Sequence, residues 1–250
     1  ISSPDRELKL SVEVDNEVRF SLRDGSTLLV GPSPVYLEVK GLHTLGRDMR
    51  VTSSVQGETR ERLTPAVAVK SARIDNHYNQ LVLEDESGYF IEFRLFDNGL
   101  AYRFRTAYED SIRIAQEELE LVFPADHRVF FPTEESFFTH SERLYDIQRL
   151  SSISDEQMAC LPVLVERGDG KYLAIAESGL RDYPGLYLAG TSTQALKSRL
   201  PAYPAEVKQA RDRDVRVVKR ERYLARTTGS RDFPWRIICV AEDAARLVTN

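Results

Sequence analysis

Apolar and polar residues alternate with a period of two along most of this chain. Leu8, Leu10, Val12 and Val14 fall on one side while Lys9, Ser11 and Glu13 fall on the other, the pattern of a half-buried strand. The same alternation returns at 91–95, 101–105, 119–123, 162–165 and 214–218. Turn signals lie among these runs: Arg23-Asp24-Gly25-Ser26, Glu86-Ser87-Gly88, Asp97-Asn98-Gly99 and Arg167-Gly168-Asp169-Gly170. Asp-Gly and Asn-Gly next to alternating runs are strong short-range hairpin signals. Helical signals are few, a short turn at 154–159 and a helix-like run at 242–248.

Many short strands at close spacing predict a sandwich rather than alternating β and α elements. A two-sheet domain of the immunoglobulin kind takes about 100 residues, and this chain has 250. The expected fold class is therefore all-β, one large antiparallel sandwich of two big sheets with few short helices. No repeat, low-complexity segment or linker divides residues 1–250, so one domain is expected. The loop-rich stretch 131–155 reads as an excursion off the sheets.

Composition narrows the function. The formal net charge is −5, and the densest basic run, 208–222, is interrupted by Asp212, Asp214 and Glu221. No one-sided basic face of the kind nucleic acid requires is present. No run approaches 18 apolar residues, which argues against a membrane-spanning helix. Cys160 and Cys239 sit in apolar contexts and read as buried free thiols. The first residue is Ile1 rather than Met, which suggests a processed or trimmed N-terminus.

The segment 174–188 holds the most pointed chemistry. An apolar run, Leu173-Ala174-Ile175-Ala176, leads straight into Glu177, then Ser178-Gly179 breaks the strand. Asp182-Tyr183-Pro184-Gly185 reads as a turn, with Pro fixing φ and Gly supplying φ > 0, before 186–188 resumes pairing. A carboxylate at a strand end beside such a turn sits at a rim. It is either a solvated strand terminus or a group reaching beyond its own sheet.

Other constellations are weaker. His43, His77, His127 and His140 show no metal-ligand spacing. The acid pairs Glu117-Glu118 and Glu134-Glu135 read as solvated faces. Phe130, Phe131, Phe137, Phe138 and Tyr145 form either core under the excursion or an exposed platform, and Tyr183 and Tyr187 flank the Glu177 loop.

Several segments taken in order resemble the N-terminal domain of glycoside hydrolase family 97, enzymes of the α-glucosidase and α-galactosidase type. They are Ser3-Pro4-Asp5, Pro32-Ser33-Pro34, Asn76-His77-Tyr78-Asn79-Gln80-Leu81, the run 93–104, the run 177–188, and Phe233-Pro234-Trp235-Arg236. The resemblance implies a super-β-sandwich of the galactose-mutarotase-like kind, non-catalytic itself, ahead of a C-terminal (β/α)8 barrel that carries the catalytic carboxylates. The residues here are taken up by strands, so the barrel is expected to be absent from this chain, and 241–250 resembles the hand-over toward it. The resemblance also implies a calcium ion shared between the domains, with Glu177 as the metal ligand that this domain donates. Where the family writes Glu-Ala-Asp-Leu before its Asp-Tyr-Pro-Gly turn, this chain has Glu177-Ser178-Gly179-Leu180. An oligosaccharide substrate and an exported, periplasmic location are implied in the same way. Two alternatives accompany this reading. One is a self-standing carbohydrate-binding module, and the other a mutarotase-like epimerase using His77 with Glu177 as acid and base.

Overall fold

A computed structural model describes residues 1–68 and 70–249 of the chain; the last residue of the 241–250 run lies outside the described residues. Among those described, two antiparallel sheets of ten strands each dominate, with a separate two-stranded hairpin; Thr44–Leu45 and Ala225–Thr227 in the first sheet and Ser230–Asp232 in the second pair off the main strand orders. The first sheet runs in the order Leu8–Val14, Val18–Asp24, Thr27–Val39, Ile112–Val122, Ala195–Arg199, Tyr187–Gly190, Met158–Ala159, Thr133–Glu134. The second runs Asp146–Arg149, Arg128–Phe131, Val163–Glu166, Tyr172–Ser178, Trp235–Ala241, Gly99–Ala107, Tyr89–Phe96, Ile74–Asp85, Val51–Leu63. The all-β expectation holds.

All four turn signals close hairpins between adjacent strands. Gly25 (φ 53°) and Gly88 (φ 85°) supply the left-handed backbone that two of these reversals demand. The first strand occupies Leu8–Val14, with Leu8 and Leu10 buried and Lys9 and Ser11 exposed. Alternation places the apolar set on one face because successive Cβ atoms point to opposite sides of a strand.

The two inner faces meet in one apolar layer. Phe20 from the first sheet packs against Phe93 and Tyr102 from the second, with ring centroids 6.3 and 5.8 Å away. Phe93 and Tyr102 are themselves 5.8 Å apart. Leu22, Leu37, Ile91, Leu95, Leu121, Val165 and Leu173 are fully buried around them.

Three local expectations change. The run 214–218 forms a strand, Asp214–Arg220, but it pairs only with Pro204–Arg211 in the separate hairpin. That hairpin stands clear of the core, so its alternation buries no face and Val207, Val215 and Val218 stay exposed. The excursion 131–155 contributes Thr133–Glu134 to one sheet and Asp146–Arg149 to the other, crossing the sandwich end instead of leaving it. The expected short turn is present, closed by the Gln157 amide on the Ser154 carbonyl at 3.2 Å and preceded by a separate 3-10 turn at Leu150–Ser152, whereas the final helix is limited to Arg246–Thr249. Cys160 and Cys239 are free thiols, Cys160 buried and Cys239 half-buried.

Phe20 is the first sheet's contribution to the aromatic contact between the sheets. Phe20→Ala is expected to lower the unfolding free energy by about 3–5 kcal/mol, read from urea denaturation; a loss below 1 kcal/mol would mean that these rings do not carry the contact between the sheets.

Candidate functional site

Glu177 is the penultimate residue of the strand Tyr172–Ser178. Counting back by twos gives Ile175 and Leu173, both core residues. Glu177 therefore leaves the strand on the side facing the other sheet, not on the solvent side. Its direct cross-strand partner is Arg236, which shares a face with the buried Ile238 and Val240. From the opposite sheet, Glu117 lies on the buried side of Ile112–Val122, in phase with Leu119 and Leu121. Three charged residues from three strands thus occupy inward positions at one end of the apolar layer.

They answer one another. The Arg236 guanidinium donates through Nε to Glu117 Oε1 at 2.6 Å and through Nη2 to Glu117 Oε2 at 2.9 Å. Its remaining nitrogen, Nη1, donates to Glu177 Oε2 at 2.5 Å. The Leu186 amide donates to the same carboxylate, 3.1 Å from Oε2 and 3.2 Å from Oε1. The side chains of Arg236 and Glu117 are almost wholly enclosed, whereas that of Glu177 keeps 16% of its surface open. Two-pronged pairing of this kind is the strongest geometry available to an arginine and a carboxylate.

The electrostatics follow from burial. Enclosure by itself works to lower the Arg236 pKa, but the Glu117 carboxylate, with smaller contributions from Tyr183 and then Glu177, holds it above the ordinary arginine value. Glu177 goes the other way. Burial pushes its carboxyl above the usual range, and neither Arg236 nor the Leu186 amide fully compensates. The Tyr102 hydroxyl, buried without a hydrogen-bond partner, is raised well above its normal value by burial and further by the Glu117 charge. With both carboxylates ionised the three side chains carry one net negative charge, and the part of the cluster open to solvent is Glu177.

The loop after Glu177 differs in detail from the expected turn. Gly179 (φ 73°) and Asp182 (φ 50°) take the left-handed conformation, and Gly185 does not. Asp tolerates that region better than most residues. Gly185 lies beside the carboxylate: a Cβ there would sit 3.4 Å from Glu177 Oε1, in van der Waals contact with it. Tyr183 is buried against Phe233 (5.5 Å, edge-on) and is core, not a surface flank of the loop. Tyr187 is half-buried, edge-on to Phe137.

The remaining candidates separate. His77 Nε2 lies 2.7 Å from Glu58, while Glu177 is held by Arg236 and Leu186, so the structure does not bring His77 and Glu177 together as an acid and base pair. The aromatic set divides: Phe131 is core, whereas Phe138 and Tyr145 are exposed. Glu134 is enclosed and bonded to Thr139 and Arg143, so one acid of each pair read as solvated is in fact buried. Glu117 is the important miss. Its signal was present, because phase counted from Leu119 and Leu121 puts it on the buried face.

Among the described residues no group of three or more His, Cys, Asp or Glu side chains is placed to hold a metal ion. Calcium wants about 6–8 oxygen ligands. With 16% of its side chain open and a cluster charge of −1 around it, Glu177 would supply one such oxygen at most, and the others would have to come from elsewhere.

Comparison with known proteins gives this two-layer sandwich a family. The family model described as Glycosyl-hydrolase 97 N-terminal matches residues 1–250, and the chain belongs to this family. A curated relative, a retaining alpha-galactosidase of Bacteroides thetaiotaomicron, is 28% identical over 96% of this chain and 38% of its own length. Among solved structures, a glycoside hydrolase family 97 enzyme from Pseudoalteromonas sp. strain K8, in complex with acarbose, superposes with a TM-score of 0.82 at 18% identity. That match covers 99% of this chain and 36% of the other. A beta-arabinopyranosidase gives 0.79 at 19% identity, covering 97% of this chain and 40% of the other. The chain thus spans about two fifths of the length of these relatives, as one domain of a larger enzyme does. No helix among the described residues is long and apolar enough to cross a membrane.

The buried cluster makes a direct stability prediction. Arg236→Met strands Glu117 without a partner inside the sandwich and is expected to cost about 3–5 kcal/mol, measured by chemical denaturation of the 1–250 chain. An unchanged midpoint and slope would show that the pair is not buried in solution.

Proposed function

We propose that this chain is the non-catalytic N-terminal domain of a calcium-dependent glycoside hydrolase that cleaves α-galactosidic or α-glucosidic bonds. Its role is to form one wall of the active site and to donate Glu177 to a calcium ion that a C-terminal (β/α)8 barrel helps to hold. The observation carrying this reading is the family match over residues 1–250, joined to the placing of Glu177 next to the end of its strand with 16% of its side chain accessible. Glu177 and the turn after it are the residues through which the resemblance assigns a ligand.

When bound, calcium would supply Lewis-acid polarisation of an oxygen on the substrate. The chain's own contribution is to hold the ligand carboxylate in place. Arg236 and the Leu186 amide restrain Glu177 from two sides. Glycoside hydrolysis generally needs a pair of carboxylic groups flanking the scissile bond. Here Glu177 is committed to an arginine, and the two carboxylates of the cluster share one guanidinium, so the acid and base are assigned to the barrel. Export to the periplasm belongs to the same proposal and is checked by a signal segment in the gene ahead of Ile1.

The test compares two preparations. The purified 1–250 chain is expected to release no sugar from an aryl α-galactoside or α-glucoside, while the full-length enzyme cleaves at least one. Turnover by the 1–250 chain, with contaminants excluded, would overturn the non-catalytic reading. Heat of binding when melibiose or maltose is titrated into the 1–250 chain would favour a carbohydrate-binding module instead.

A further inference from the structure

Glu177 presents a difficulty as a cation ligand, because a guanidinium already sits 2.5 Å from its Oε2. A full positive charge at that distance works against a second cation on the same carboxylate. The structure contains the answer on the opposite sheet. We propose that Glu117 is a positioning residue for Glu177: by holding Arg236 in a two-pronged pair, it offsets the arginine's charge and leaves Glu177 able to take a divalent cation. This rests on the reading of Glu177 as a ligand and adds a role for two residues that the reading does not need.

Three observations carry it. Arg236 gives two of its three nitrogens to Glu117 and one to Glu177, so the arginine is fixed chiefly by the residue that is not the ligand. Glu117 belongs to Ile112–Val122, in the other sheet from Arg236, so the pair fixes Arg236 with respect to both layers of the sandwich. The accessibility gradient runs the right way, from Glu117 at 4% and Arg236 at 2% to Glu177 at 16%, so the cluster's net negative charge is offered at the ligand end. Without Glu117 the remaining pair is neutral and has nothing to attract a cation. With it the cluster keeps a charge of −1. An ion a few ångströms from a partly buried unit charge feels a large part of that charge because little water screens it.

The experiment measures calcium affinity by calorimetry on the full-length enzyme, a readout independent of turnover. Glu177→Gln comes first and is expected to weaken calcium binding at least tenfold; unchanged affinity there would remove the ligand reading itself, and this proposal with it. Glu117→Gln, at a residue that pairs with Arg236 and is not proposed as a calcium ligand, is expected to weaken binding by about tenfold as well. Affinity within twofold of the parent, with Glu177→Gln impaired, would overturn the role of Glu117 while leaving the ligand reading intact.

The double variant Glu117→Gln/Arg236→Met removes one charge of each sign, so Glu177 again carries the cluster's −1. It is expected to bind calcium within about threefold of the parent, a rescue that general structural damage would not produce. Should Glu117→Gln fail to fold, this variant carries the test, since it removes both fully enclosed charges and leaves only Glu177, which keeps 16% of its side chain open and the Leu186 amide as a partner. Binding tenfold tighter than the parent would show that Glu117 had not been offsetting Arg236, and binding as weak as in Glu177→Gln would show that charge is not what the pair controls. Either result would overturn the proposal.

Discussion

A guanidinium enclosed between two sheets is tolerable only if its charge is answered where it sits. Moving an ion out of water costs several kcal/mol even after the protein relaxes around it. Arg236 meets that condition with a two-pronged pair to Glu117 and a single contact to Glu177. The consequence reaches beyond the pair. Glu117 comes from one sheet and Arg236 and Glu177 from the other, so the two layers come into register at this end through charge, and further in through Phe20, Phe93 and Tyr102. The apolar contacts tolerate small shifts because dispersion is not directional. The ion pair tolerates little, since three hydrogen bonds must align together.

That constraint also explains why the ligand candidate is an inward residue. A carboxylate on the outer face of Tyr172–Ser178 would be free to adopt many rotamers and would lose that freedom on binding a cation. On the inner face, at the last turn before the strand ends, Glu177 is held from one side by Arg236 and from another by the Leu186 amide. The turn that brings the Leu186 amide back depends on Gly179 and Asp182 taking left-handed backbone. The strand break, the turn and the fixed carboxylate are thus one device, in which the chain doubles back far enough to present an N–H to its own side chain.

Much of this was written locally in the sequence. Alternation is a property of neighbours, so strands such as Leu8–Val14 and Tyr89–Phe96 were readable, as were the four hairpins closed by Gly and Asp or Asn. The partition of strands between sheets was not. Trp235–Ala241 inserts between Tyr172–Ser178 and Gly99–Ala107, a pairing across more than 100 residues that no local pattern encodes. Glu177 was legible as a candidate because a strand ran into it. Glu117 was not, because an acid beside another acid reads as a solvated surface when judged by its neighbours. Counted by phase from Leu119, the same residue belongs to the core, and so does Arg236 counted from Ile238. Two opposite charges at inward positions of different strands form a signal that appears only when phase is taken before residue type. The hairpin Pro204–Arg211 with Asp214–Arg220 fails in the opposite sense: its alternation is real, but no layer covers it.

On the proposed reading, in which this domain would lend one ligand to a shared ion, that ligand must be satisfied before the other ligands arrive. A bare carboxylate at the mouth of the sandwich would carry unscreened charge beside an apolar layer. A carboxylate fully neutralised by its own arginine would gain nothing from a cation. The arrangement here lies between these limits, because one guanidinium is divided between two carboxylates and the more buried of them holds two of its three nitrogens. Glu177 is therefore restrained without being saturated. The same division accounts for the directions of the shifts, with Arg236 held above the ordinary arginine value chiefly by Glu117 and Glu177 pushed above the usual carboxylate range because its share of one arginine does not offset its burial. On the reading proposed here, a cation arriving at the open edge of Glu177 would supply the compensation that the fold withholds.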